Sequence, residues 1–205
     1  MSTCEFDICK KIVNKDVRSN ILREAEAQFS KSGFYGTSIN NIAKGMGLTK
    51  QGILHYFPTK EKLYAAVLES AANSLTDDIN THKSRINNPR HVLETIFKNM
   101  VEAKGREQEI IVLLLRELVD NRERAIDSNR WFLKPYLDEL ISLAKAANLK
   151  DCHDDISAFV VIYELLGSIQ YLLISEPTLT KLYSDKQFEQ FKKQHLSRVI
   201  RTFRY

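Results

Sequence analysis

Thr37, Thr49 and Thr59 each precede a helical pattern, where a side-chain oxygen can accept one of the orphan N–H groups of a helix start. Three such caps within 23 residues cut this part of the chain into short helices, and Gly47 marks the turn between the first two. After Thr37, the residues Ile39, Ile42, Ala43 and Met46 share one face; after Thr49, Ile53 and Phe57 form an i, i+4 pair that can pack against them. A helix, a glycine turn and a second short helix are thereby joined along one apolar seam. At about 100° per residue, the opposite face of the second helix carries Gln51, Gly52 and His55.

Charge singles out the same region. From Ala27 to Lys60 the chain runs 34 residues without an Asp or Glu. Residues 1–60 hold nine Lys/Arg against five Asp/Glu, whereas residues 61–205 hold twenty-one of each, so the whole formal excess of +4 lies beside the helix-turn-helix. A face without carboxylates does not repel a phosphate backbone, and binding to nucleic acid begins with counterion release at such a face. Lys44 and Lys50 lie within it.

Seven glycines and four prolines in 205 residues leave little room for sheet turns, and apolar residues recur at three and four throughout, so the expected fold is all-α. The pattern predicts about nine helices: Asp16 to Lys31, Ile39 to Gly45, Lys50 to Tyr56, Lys60 to Thr81, Arg90 to Ala103, Glu107 to Asn121, Arg124 to Ala147, Asp154 to Ser175 and Asp185 to Phe203. Breaks are expected at Gly33, Gly47, Pro58, Asn88-Pro89, Gly105, Asn148 and Pro177. A DNA-binding domain over 1–60, with 1–13 read as flexible, precedes a larger helical domain over 61–205.

The larger domain is rich in big apolar side chains. Phe97, Met100, Leu114, Leu118, Trp131, Phe132, Tyr136, Phe159 and Tyr163 can line a cavity in a helical bundle, with Asn99, Tyr163 and Gln170 as polar anchors; the alternative is a solid core. Ile156 to Ile174 is apolar almost all round, and Phe188, Phe191, Val199, Ile200 and Phe203 form a stripe on the helix that follows. Two such helices from each of two protomers can make an isologous four-helix interface through Val160, Val161, Leu172, Phe188, Phe191 and Val199, with Gly167 and Ser168 permitting close approach; the alternative is that they close a monomeric core.

Other classes find little support. There is no GxGxxG, P-loop, HExxH or GxSxG, and the histidines at 55, 82, 91, 153 and 195 are scattered, so no enzymatic activity and no cofactor are expected. Cys152-His153-Asp154-Asp155 is the one dense group of metal-capable residues, but neighbours along a helix do not converge and Asp154 has a sufficient reason as an N-cap; no metal is expected. Ile110 to Leu115 is too short for a membrane span, and Ser157 to Ile174 is interrupted by Glu164 and Gln170. Cys4, Cys9 and Cys152 are odd in number without CxxC spacing, and the N-terminus lacks a signal peptide, which together point to the cytoplasm.

Residues 16–64 resemble the DNA-binding domain of the TetR family of bacterial transcriptional repressors. The matching pattern is Phe29, Gly33-Phe34, Gly36-Thr37-Ser38-Ile39, Ile42-Ala43, Gly47-Leu48-Thr49-Lys50, Gly52-Ile53-Leu54-His55-Tyr56-Phe57 and Lys60-Glu61-Lys62-Leu63. The resemblance implies that Lys50 to Tyr56 enters the major groove, with Thr37, Tyr56 and Lys60 on phosphates; Ser38, Lys44 and Thr49 are further candidates for DNA contact from their own chemistry and place. Side-chain chemistry agrees: Gln51 can pair with adenine, His55 can donate to a guanine edge or phosphate, and Gly52 lets the helix approach closely. Leu54 stands where the family is commonly aromatic, which suits a thymine methyl or packing, and Asn41 stands where an acid is common. The expected function is therefore a dimeric repressor, released from a palindromic operator by a small apolar or amphipathic effector. A helical protein–protein adaptor without DNA binding would leave the acid-free stretch unexplained.

Overall fold

The computed structural model describes residues 3–120, 132–150 and 152–204, with side chains from residue 16 onward except at 115 and 118–120. Among the described residues there are nine α-helices and no strand. They are α1 (Thr3–Gly36), α2 (Ile39–Gly45), α3 (Lys50–Tyr56), α4 (Lys60–Arg85), α5 (Pro89–Glu102), α6 (Arg106–Asp120), α7 (Lys134–Ala146), α8 (Asp155–Tyr183) and α9 (Asp185–Thr202). α1 thus starts within the segment read as flexible, and Gly33 kinks it at φ 70°. Part of the helix expected from Arg124 falls on residues 124–131, outside those described; α7 begins at Lys134 with Pro135 in its first turn.

The described chain divides into two compact units, Met1–Ser70 and Ala71–Tyr205, with the division inside α4. In the first unit, Ile21, Ala25 and Phe29 of α1, Ile42 of α2, Ile53 of α3 and Leu63 of α4 are fully buried. Each large side chain so removed from water contributes about 1.5–3 kcal/mol. The Tyr64 ring meets Phe29 edge-on at 4.7 Å between centroids, and Arg18 lies 4.8 Å over Phe57.

In the second unit α5 is the hub, packing against α6, α7, α8 and α9. Leu93 and Phe97 of α5, Leu140 of α7, Ile162 and Ile169 of α8 and Phe203 form its core. Asn88 caps α5 by accepting the Arg90 N–H at 2.9 Å, and Pro89 sits at a position where no N–H is needed. The Arg90 guanidinium then reaches three backbone carbonyls, Ala147 at 3.0 Å, Asn148 at 2.8 Å and Phe203 at 3.1 Å. Those carbonyls close α7 and α9, where acceptors lack intrahelical partners, so one cation ties three helix ends together.

α8 opens on a capping box in which Asp154 accepts the Ser157 N–H at 2.8 Å and the Ser157 hydroxyl oxygen accepts the Asp154 N–H at 2.9 Å. The break expected at Pro177 does not occur: the helix runs through it to Tyr183 and stops at Ser184, where φ is 76°. Proline removes only the bond to the Leu173 carbonyl and sits on an exposed face, while continued packing of α8 on α9 sustains the helix. By length and composition α8 is apolar enough to cross a bilayer in spite of Glu164 and Gln170, as a core helix also can be, and Leu165, Leu166, Ile169 and Leu172 are buried within the protein.

Candidate functional site

The turn between α2 and α3 is built by two consecutive residues. Gly47 takes φ 65°, its N–H donates to the Lys44 carbonyl at 3.2 Å, and the Leu48 N–H donates to the Ala43 carbonyl at 2.8 Å. This pairing satisfies the last carbonyls of α2 and turns the chain sharply into α3. Thr49 begins α3 by accepting the Gly52 N–H at 3.1 Å, and Thr59 begins α4 by accepting the Lys62 N–H at 3.2 Å.

Thr37 departs from the expected cap. It is 3% exposed, and its hydroxyl donates inward to the Gly33 carbonyl at 2.8 Å, with the Gln28 carbonyl 3.1 Å away. The hydroxyl therefore seals the kinked end of α1 and is withdrawn from the surface where a phosphate contact was expected. Ser38 caps α2 instead, accepting the Asn41 N–H at 3.1 Å.

On α3 the buried residue is Ile53, while Lys50, Gln51 and His55 are exposed and Gly52, Leu54 and Tyr56 half-buried. Gln51 and His55, one turn apart, share an outward face, and the His55 ring stands edge-on to Tyr56 at 5.4 Å. Lys44 and Thr49 are exposed beside them. The Lys60 ammonium rests 4.3 Å from the centre of the Phe34 ring, a contact that holds its charge at the start of α4. The next residue, Glu61, is the first acid after the acid-free stretch. Its own backbone N–H, then the Thr59 hydroxyl, hold its carboxyl below the usual range.

The second unit contains a cavity of about 760 Å³. Met100, Leu114, Tyr136, Phe159, Tyr163 and Gln170, all expected at a pocket, line it. Phe97 does not: it is wholly buried and packs against Phe203 at 5.4 Å, so it belongs to the core. The Leu118 side chain and Trp131 lie outside the described residues. Asn99 borders a neighbouring cavity of about 580 Å³. Residues not anticipated include Leu75 of α4, Ile111, Leu133 and Leu137, together with Glu164, Gly167, Ser168 and Tyr171 of α8. Glu164 carried a signal in the sequence, a lone acid within an apolar helix, that served there only as an argument against a membrane span.

α8 presents Ile156, Val160, Tyr163, Tyr171, Ile174 and Leu182 to the outside, a stripe at intervals of three, four and eight. Gly167 and Ser168 lie exposed along it, Val161 is half-buried, and Phe191 of α9 is half exposed. Leu172, Phe188 and Val199, expected at a dimer interface, are each 3% exposed and buried within their own chain.

Residues 21–67 match the sequence model described as bacterial regulatory proteins of the tetR family. The HTH-type transcriptional regulator RutR of Escherichia coli strain K12 is 50% identical over 48 residues, which is 23% of either chain. The chain thus covers about a quarter of that relative, and the likeness is one of a single domain. Over nearly the whole length the fold is similar to solved structures. The fatty acid degradation regulator FadR from Bacillus halodurans superposes with a TM-score of 0.67 at 16% identity, over 89% of this chain and 97% of that one. A transcriptional regulator from Saccharomonospora viridis, in complex with choline, does so with a TM-score of 0.65 at 17% identity, over 89% and 96%.

Proposed function

By residues 21–67 the chain belongs to the tetR family of bacterial regulatory proteins, and we propose that it is a dimeric, ligand-responsive transcriptional repressor. The observation that carries this reading is the outward face of α3: Gln51 and His55 exposed on a helix whose surroundings hold no carboxylate from residue 27 to residue 60. In this reading α3 lies in the major groove of duplex DNA in the cytoplasm, Gln51 and His55 read base edges, and Ser38, Lys44, Thr49, Lys50, Tyr56 and Lys60 face the backbone. Gly52 and Leu54 form the apolar part of the same surface.

A short recognition helix reaches useful affinity when two act together, and the exposed stripe of α8, continued by Phe191, supports pairing with a second copy. The effector occupies the 760 Å³ cavity. Leu75 of α4 lines it, and α4 is the same helix that begins at Lys60, so a ligand that moves α4 alters the spacing of the recognition helices. A coupling of about 1–3 kcal/mol gives a 5- to 150-fold loss of DNA affinity.

Selection of bound duplexes from a random pool tests the reading. A palindrome with half-sites about 34–36 Å apart is expected. Gln51→Ala and His55→Ala should each cost about 1–3 kcal/mol on that duplex and little on random DNA, whereas Lys44→Gln should weaken both alike. Unchanged sequence preference in the first two variants would remove α3 from the interface.

A further inference from the structure

The two cavities of the second unit adjoin, since Leu75, Met100, Ile111 and Tyr136 border both. The larger is apolar and aromatic, with Phe159, Tyr163 and Tyr171 on one wall. The smaller is mixed in polarity but one-signed in charge: the exposed Asp77 and Asp78 of α4, Glu102 of α5 and Glu107 of α6 line it beside Ile96 and Ile110. With Glu164 of the larger cavity, every charged side chain among the described lining residues is acidic. Residues 61–205 carry equal numbers of positive and negative side chains, so the sign does not follow from composition.

A second observation lies at the shared wall. Tyr136 is 4% exposed, and among the described residues its hydroxyl has one hydrogen-bond partner, the Met100 sulfur at 3.6 Å. A thioether is a weak acceptor, and leaving a buried hydroxyl so poorly satisfied is unfavourable. Burial first, then the charge of Asp78, pushes the phenol upward, and its oxygen, which donates to Met100, can also accept a hydrogen bond. Asp78 itself stands 3.4 Å from His82.

We propose that the effector is an amphipathic cation: an amine or ammonium compound whose apolar body fills the larger cavity and whose positive head lies across the Tyr136 wall, against Asp77, Asp78, Glu102 and Glu107. An N–H⁺ head donates to the carboxylates and to the Tyr136 oxygen, and a quaternary head is held by charge alone. The same carboxylates repel a fatty acid or any other anionic amphiphile. This rests on the reading of the cavity as an effector site, and adds the sign of the ligand's charge.

Calorimetric titration of the full-length protein with three probes of equal chain length, each below its micelle concentration, tests the proposal: decylammonium, decanol and decanoate. Decylammonium should bind at least about tenfold more tightly than decanol, with decanoate the weakest, because charge-assisted hydrogen bonds add about that much. A triple variant, Asp77→Asn, Asp78→Asn and Glu107→Gln, changes exposed positions. It should lose the preference for decylammonium while keeping its affinity for decanol. Equal binding of all three probes, or a triple variant that still prefers the cation, overturns the proposal and leaves the effector reading standing. Failure of all three to bind overturns both.

Discussion

Gly52 and Gly47 are five residues apart, and alanine at each should move stability in opposite directions. Gly52 is the third residue of α3, and its N–H is held by the Thr49 hydroxyl. A Cβ built there lies 3.5 Å from Thr49 Oγ1 and 4.0 Å from Leu48 Cβ, which is ordinary contact. Nothing within the protein requires a glycine at this point, and exchanging it for alanine in a helix gains about 0.5–1 kcal/mol. At Gly47 a Cβ would meet nothing within 4 Å, so the cost is confined to the left-handed backbone at φ 65°. That cost is about 1–2 kcal/mol. Hydrogen exchange of the amides in α2 and α3 reads these values locally, without requiring the whole chain to unfold in one step. Gly52→Ala should slow exchange by about two- to fivefold and Gly47→Ala should accelerate it by about five- to thirtyfold. The first variant, though better ordered, should bind DNA less well, because its methyl group occupies the face of α3 that approaches the groove. Faster exchange in Gly52→Ala would refute the open geometry around that residue, and DNA affinity equal to the wild type would refute the close approach.

Arg90→Ala removes three charge-assisted hydrogen bonds to the ends of α7 and α9 and should lower stability by about 2–4 kcal/mol in urea titration; Arg90→Lys should recover only part of it, since an ammonium lacks the planar fork. Asp154 is held below the usual carboxylate range chiefly by the Ser157 N–H, then by the Ser157 hydroxyl. Its folded value is therefore below the unfolded one, so its contribution is complete above about pH 4 and is lost as pH falls through the folded value, and Asp154→Asn should flatten that acid limb in thermal melts. Gly167→Arg places a cation on the exposed stripe of α8 where a Cβ meets nothing within 4 Å. The protomer should fold normally by circular dichroism and sediment as a monomer, and a dimer at low micromolar concentration would exclude this face as the interface.

The limits of α2 and α3 were legible to the residue because they are set locally, by Gly47 and by the hydroxyl of Thr49. Thr37 and Ser38 were not separable. Both are short hydroxyl side chains, and which one turns inward depends on the carbonyls that the kink at Gly33 leaves pointing at it. Pro177 misled for a related reason: the backbone rule is local, whereas the persistence of α8 depends on its packing against α9. Within the second unit, apolar identity could not distinguish Phe97, which fills the core, from Phe159, which borders open space. The outward stripe of α8 was legible only at Val160, Gly167 and Ser168, because a helix apolar on all sides gives little sign of which side its own chain covers.

α2 and α3 are seven residues each, about two turns, well below the length at which a helix holds its shape unaided in water. Their order is borrowed from the core in which their own Ile42 and Ile53 are buried together with Phe29 of α1 and Leu63 of α4. In a genetic screen for loss of DNA binding, most hits should therefore fall on such hidden positions, and those alleles should be temperature-sensitive, recovering in the cold as the domain refolds. Alleles at Gln51 and His55 should fail at every temperature, because they spare the domain and remove only what it reads with.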